Sequence, residues 1–434
     1  MKEKWLLVAV TAFIAATMLT SCVSLFDDLD SIVFGDTSSD SSSSSGTSSS
    51  SSSSKTGSTI YSTSSDSGYA YIVMDVSDLD GYLQNKSYNS TFSPYTIKLT
   101  GITRENYTSI RTALLENSDK YVDLSPTKFI SGVNMSGCFQ GCSSLIKAPN
   151  IPADIRNMSH CFQDCTNLET APDIASRSLS NMEACFSGCT SLKTVPVIPN
   201  SVTNMRKCFE HCTSLETAPN IPDGVTNMYG CFSGCYSLKE ISSLPSRVQN
   251  MGFCFSGCSS LRTVPDIPYG VADMKGCFSS CSVLETAPNI PDSVTDMQRC
   301  FDGCSSLKTV PSISNNVTNM EECFKNCRQL TKVPAVLNSA QNMKRCFYNC
   351  SSLRKVPVIP SSVTNMTACF EGSSSWSSIE IHAVITEKSK WTNCFCMCGI
   401  TSIQVPSEDV KTAILNATGN RTAFSGRTSW TIAP

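Results

Sequence analysis

Apolar residues recur along this chain with a fixed period of 23. The methionines Met135, Met158, Met182, Met205, Met228, Met251, Met274, Met297, Met320, Met343 and Met366 mark it, with one interval of 24 between Met158 and Met182. A constant period of this size predicts a solenoid, in which each repeat buries its apolar face only against its neighbours. Within residues 201–223, Val202, Met205, Cys208, Phe209, Cys212, Leu215, Ala218 and Ile221 are the candidate core. The phenylalanine of each coil falls in one column: Phe139, Phe162, Phe186, Phe209, Phe232, Phe255, Phe278, Phe301, Phe324, Phe347 and Phe370. Burial of that column is expected to be the main source of stability, at ~25 cal/mol per Å² of apolar area removed from water.

The elements of one coil follow from the same pattern. The residue before the second Cys is Gly or Asn in most coils (Gly141, Gly188, Gly234, Asn326, Asn349), which suits a left-handed backbone position. Met-x-x-Cys-Phe-x therefore reads as a short helical turn ending there. Leu-x-x-Val/Ala reads as one strand of a parallel sheet running the length of the stack. A proline column that includes Pro149, Pro172, Pro219 and Pro288 is expected to end that strand, because proline offers no N–H to a ladder. Asn or Asp before each Met (Asn204, Asn227, Asp273) suits a turn, and as a stacked column would also tie coil to coil.

Outside the repeats the pattern changes. Tyr95 to Thr100 reads as a strand, Thr103 to Leu115 as a helix and Tyr121 to Leu124 as a strand leading into the stack. At the far end Trp376 takes the Leu column, Ile379 to Val384 reads as a strand, and Trp391, Cys394 and Phe395 form a stretched twelfth coil before a closing helix from Asp409 to Ala417. Residues 37–67 are dominated by serine and are expected to be a disordered tether. Lys2, Lys4 and the apolar run from Trp5 to Met18 read as an export signal. The run ends in Leu19-Thr20-Ser21-Cys22, which resembles the bacterial lipobox, and that resemblance makes Cys22 a lipid-bearing N-terminus. The expected organisation is a signal peptide at 1–21, an anchored N-terminus at 22–36, the linker at 37–67, an N-terminal cap at 68–130, the solenoid at 131–406 and a C-terminal cap at 407–434.

Composition narrows the chemistry. Net charge is −3, from 33 basic and 36 acidic residues with mixed signs, so no basic stripe suggests nucleic acid. Three histidines (His160, His211, His382) leave little material for acid–base or zinc chemistry. No G-x-S-x-G, H-E-x-x-H, P-loop or dinucleotide glycine pattern occurs. Neither cofactor, metal nor small-molecule substrate is expected. An enzyme would need a concave site outside the repeats, around His382 in the stretch 373–393. Of the 25 cysteines most fall in C-F-x-x-C pairs. They read as small buried thiols, as disulfides within or between coils, or as metal ligands, and spacing alone leaves these open.

The coil Val195-Pro-Val-Ile-Pro-Asn-Ser-Val-Thr-Asn-Met205, followed by Cys208-Phe209-x-x-Cys212-Thr-Ser-Leu215, resembles the BspA-like leucine-rich repeats of bacterial surface proteins. Met for Ile in the turn, Cys for Ala before Phe, and Pro within the strand are the departures. The resemblance spans about residues 131–406 and implies an α/β-type repeat solenoid. That fold is a leucine-rich-repeat-like stack of about 12 coils, with one parallel sheet, short helical turns opposite and a cap at each end. It also implies a surface lipoprotein facing outward from the outer membrane and adhering to host matrix proteins or other microbes, with a spacer or coat role as the alternative. The candidate contact column is Glu169, Lys193, Glu216, Lys239, Arg262, Glu285, Lys308 and Arg354, whose alternating signs also allow mutual neutralisation. Thr170, Thr194, Thr217, Thr263, Thr286 and Thr309 form the next column.

Overall fold

Each coil is built from consecutive turns, where the sequence suggested a short helix. The computed structural model describes residues 62–434 apart from 67–68, 133, 311–312, 334–337, 421–423, 425–427 and 434. The signal segment, Cys22 and the serine-rich stretch up to residue 61 lie outside the described residues. In the coil from Met158, Cys161 N–H donates to the Met158 carbonyl at 3.1 Å, Gln163 to His160 at 3.2 Å and Cys165 to Phe162 at 3.1 Å. The alternate amides point along the stack: Met158 donates to Asn181 O at 2.9 Å, His160 to Glu183 at 2.8 Å, Phe162 to Cys185 at 2.8 Å and Asp164 to Ser187 at 2.7 Å. A helix cannot form because every fourth residue is left-handed. The residue before the second Cys has positive φ in every coil from Gly141 to Gly372. So does the residue before the first: Gly137, His160, Ala184, Lys207, Gly230, Phe253, Gly276, Arg299, Glu322, Arg345 and Ala368. The second column was not foreseen.

The core is one continuous cluster from Met74 to Ala417. Val202, Met205, Cys208, Phe209, Cys212, Leu215 and Ile221 are buried, and Ala218 packs against them partly exposed. Phe139 to Phe370 form a ladder of near-parallel rings with centroids 5.3–5.7 Å apart and interplanar angles of 1–12°. That spacing is an offset stack, worth ~0.5–1.5 kcal/mol per pair beyond area burial.

All cysteines from Cys138 to Cys394 are buried free thiols; Cys396 and Cys398 are half-buried free thiols. The two columns differ in role. From Cys165 onward the second thiol of each pair reaches the Phe carbonyl of the preceding coil, as in Cys212 to Phe186 at 3.1 Å, Cys258 to Phe232 at 3.1 Å and Cys304 to Phe278 at 3.0 Å. Ser373, which stands where a cysteine is expected, makes the same bond to Phe347 O at 2.6 Å. The position therefore asks for a small donor, and sulfur is one way to supply it. The first column from Cys161 onward is buried at 0% exposure and packs as apolar surface.

On the opposite side the sheet is thinner than expected. Asn157, Asn181, Asn204, Asn227, Asn250, Asp273, Asp296, Asn319, Asn342 and Asn365 are joined in a chain of single parallel bridges. Both readings of this column hold: Asn181 Oδ1 accepts from Glu183 N at 3.0 Å within its turn, and Asn204 Nδ2 donates to Asn181 Oδ1 at 2.9 Å across coils. A second chain follows each strand leucine, from Lys147 through Thr170 to Thr194, from Thr217 through Glu240 to Thr263, and from Thr286 through Thr309 and Lys332 to Lys355. The continuous sheet is thus reduced to single-residue rungs, because proline stands a few residues on in most coils and removes the next donor.

Extended strands of more than one rung survive at the two ends of the stack. β1 (Ser62–Asp66), β2 (Tyr69–Asp75), β3 (Tyr95–Thr100), β4 (Val122–Asp123) and β5 (Leu145–Lys147) form one sheet in that order, antiparallel between β1 and β2 and parallel thereafter. Strand β1 falls in the stretch read as linker; its backbone pairs with the edge of β2, a gain that composition does not register. Two helices, α1 (Leu79–Gln84) and α2 (Thr108–Glu116), cover this end. Strands β6 (Ser378–Glu380), β7 (Ser402–Val405) and β8 (Ser429–Ile432) are parallel, with α3 (Glu408–Asn416) after β7. Counted through these cap strands the solenoid makes about 14 turns, more than the 12 expected, because β3, β4 and β8 continue the stack.

The caps finish the rungs that the repeats leave open. The first coil has carbonyls with no coil before them, and Arg111 Nε donates to Gln140 O at 2.8 Å. The last coil has spare amides. Asn393 N donates to Thr418 O at 2.8 Å, and Phe395 N to Asn420 Oδ1 at 3.0 Å. Asn420 is fully buried and its Nδ2 also donates to Trp391 O and Ile414 O.

Candidate functional surface

The position after the strand leucine is exposed in most coils because the leucine turns inward and the proline bend follows. Glu169, Lys193, Glu216, Lys239, Arg262, Glu285, Lys308 and Arg354 all lie exposed there. Consecutive members are held one rung apart by backbone bonds such as Lys193 N to Glu169 O at 2.8 Å, Lys308 N to Glu285 O at 2.9 Å and Arg354 N to Thr331 O at 3.0 Å. Three pairs of the column meet: Lys193 with Glu169 at 3.2 Å, Lys239 with Glu216 at 2.6 Å and Lys308 with Glu285 at 2.8 Å. Lys308, with Arg262 as a lesser contributor, holds the Glu285 carboxyl below the usual range, mainly through its hydrogen bond. Arg262 and Arg354 join no ion pair among the described residues.

The column is interrupted twice. Among the described residues no bridge joins Thr194 to Thr217 or Thr263 to Thr286. The oppositely charged neighbours Lys193/Glu216 and Arg262/Glu285 do not pair across these gaps. At the second gap the coils part into an open groove of about 610 Å³ lined by Arg262, Thr263, Asp266, Glu285, Thr286 and Asn289, with Val264, Val283, Ala287 and Pro288. Asn289 N and Nδ2 both donate to Asp266 across it.

The groups that could carry catalysis are dispersed. His160 contacts Gln163, His211 occupies a left-handed turn position, and exposed His382 contacts Glu380. Burial pushes the thiols up, to about 12 for Cys138 and Cys142 and well above the ordinary thiol value for Cys254, which favours the neutral form. Among the described residues no cluster of His, Cys, Asp or Glu is arranged to hold a metal ion, and no helix is long and apolar enough to cross a membrane.

The opposite face carries its own charges. Glu322 is 2% exposed and receives Arg299 at 2.8 Å, Lys325 at 3.2 Å and Arg345 at 3.3 Å. This cluster was not legible as a unit, because its members come from three coils.

Comparison with known proteins gives a family and a set of folds. The model described as BspA type leucine rich repeat region matches in six copies, over residues 85–216, 172–285, 229–353 and 298–417. No curated protein matches. Among solved structures, a leucine-rich repeat protein from Bacteroides ovatus is 22% identical, covering 69% of this chain and 86% of that one, with a TM-score of 0.47. A leucine rich cell surface protein from Faecalibacterium prausnitzii is 20% identical over 72% of this chain and 89% of its own, with a TM-score of 0.41. A leucine rich repeat protein from T. pallidum is 21% identical over 42% and 77%, with a TM-score of 0.31.

Proposed function

Because this chain belongs to the BspA type leucine-rich repeat family, we propose that it is a bacterial cell-surface binding protein, adhering to host matrix proteins or to other microbes. Leucine-rich repeats generally serve protein–protein interaction, and no enzyme family is indicated. The observation that carries the reading is the exposed column from Glu169 to Arg354, an extended polar surface held by inter-coil backbone bonds in runs separated by two gaps. Such a surface suits a large partner better than a small molecule. In this reading Cys22 carries the lipid, the serine-rich segment lifts the stack from the outer membrane, and the repeats face outward.

Binding of the full chain to immobilised matrix proteins and to whole microbial cells tests the first part, with saturation expected for one class. Protease treatment of intact cells tests the second, with loss of the repeats expected. A spacer without a specific ligand is the second reading. It is favoured by the pairing of Glu169, Glu216 and Glu285 with lysines one coil away, which leaves those groups less to offer a partner. Absence of saturable binding by correctly folded protein would select it.

A further inference from the structure

The two exposed columns of the sheet face change character at Glu285. Up to this point they carry exposed Glu169, Glu216, Glu240 and Glu285, interspersed with Lys193, Lys239 and Arg262. Three of the four carboxylates are engaged by a lysine one coil away: Glu169, Glu216 and Glu285, as above. Beyond Glu285 and its partner Lys308 the columns hold Lys332, Arg354 and Lys355, all exposed. Lys332 and Lys355 are direct bridge partners, and Arg354 stands beside Lys355 in the chain. Like charges placed opposite each other on adjacent rungs, about 4.8 Å apart, repel. Among the described residues no carboxylate pairs with any of the three. Glu380, two residues past Ser378, is engaged by His382.

In sequence the next positions of these columns are Ser377 and Ser378, and β6 pairs Ser378 with Ser402 of β7. Backbone groups along this path are already used between coils, as in Arg354 N to Thr331 O and Thr401 N to Ser377 O at 2.8 Å. With these main-chain groups engaged, recognition here falls to cationic and hydroxyl side chains. We propose that this stretch of the sheet face binds an anionic polysaccharide, with Lys332, Arg354 and Lys355 meeting its sulfate or carboxylate groups and the serine–threonine rows meeting its hydroxyls. The proposal rests on the binding reading above and names the partner's chemistry.

The test uses the full chain on immobilised heparin, a sulfated polysaccharide, with poly-glutamate as the acidic-peptide probe. Parent protein is expected to bind heparin in a salt-sensitive way. The combined change Lys332→Gln, Arg354→Gln and Lys355→Gln should weaken binding about tenfold, while Lys128→Gln with Lys275→Gln, two exposed lysines outside these columns, leaves it within about twofold. Circular dichroism checks the fold. If the triple variant is misfolded, Ser378→Glu with Ser402→Glu takes its place and should weaken heparin binding several-fold. Unchanged binding by either folded variant, absence of binding by the parent, or equal affinity for poly-glutamate overturns the proposal. Matrix glycoproteins before and after enzymatic removal of their glycans separate the two levels. Binding that survives deglycosylation and the triple change keeps the adhesion reading and overturns this one. Heparin binding without attachment to any matrix protein or cell supports this surface and removes the protein-adhesion reading.

Discussion

The two sides of each coil are held by different means. On the turn side, Met, the residue before the first Cys, Phe and the residue before the second Cys each give an amide to the next coil, and the pattern repeats from Met158 to Gly372 with few departures. On the strand side, beyond the continuous chain from Asn157 to Asn365, a single residue after each leucine makes a bridge, and that second chain breaks at Thr194/Thr217 and Thr263/Thr286. Phe and Cys columns occur only on the first side, and the exposed column from Glu169 to Arg354 only on the second. The contrast assigns cohesion to the turns and leaves the strand face free to vary in sequence and to bind.

Alkaline pH should break the turn side most completely. The buried thiols have pKa values raised above those of the unfolded chain, to about 12 at Cys138, Cys142 and Cys235. The sign is therefore stabilising below about pH 8.5 and progressively lost as pH climbs from there toward the folded values. Since every repeat carries such thiols, the melting temperature is expected to fall steeply above about pH 9. A flat profile up to pH 11 would show that the thiols ionise without opening the stack. Next in size is Phe255→Ala, which removes a ring from the middle of the ladder and should cost ~3–5 kcal/mol in denaturant unfolding. Thr263→Ala, on the strand side of the same coil, should stay within ~0.5 kcal/mol.

Cys258 sharpens the comparison. Its thiol donates to Phe232 O, and Cys258→Ser should keep that bond as Ser373 does. Cys258→Val deletes the donor and is expected to be the less stable of the two by ~1 kcal/mol. Ala184 is left-handed at φ 49°, so Ala184→Gly should stabilise by up to ~1 kcal/mol, readable as a higher melting temperature. Lys239→Gln removes an exposed pair and, like Thr263→Ala, should shift stability by no more than ~0.5 kcal/mol.

How much of this could be read from sequence follows the same division. The Phe column, the Leu column and the left-handed site before the second Cys were legible, since ring, leucine, Gly and Asn each advertise their role. The left-handed site before the first Cys was not, because His160, Lys207, Phe253, Arg299 and Glu322 share no conformational preference. There the inter-coil amide bonds impose the backbone. Thinning of the sheet was foreshadowed by proline, and pairing of Glu216 with Lys239 by their spacing. The two gaps were not foreseen, since Thr194 and Thr217 look like any other threonines of the column. Asn420 was also hidden: a single buried amide that imitates a further coil has no periodicity to betray it.

Hydrogen exchange at individual amides tests the division of labour most directly. The amides of Phe232, Phe255 and Phe278, each bonded to the next coil at 2.8 Å, are predicted to exchange only with global unfolding. Those of Thr217 and Thr286, beside the gaps, are predicted to exchange through local opening, orders of magnitude faster. Equal protection on both sides, or faster exchange at the phenylalanines, would contradict the claim that the turns hold this stack together.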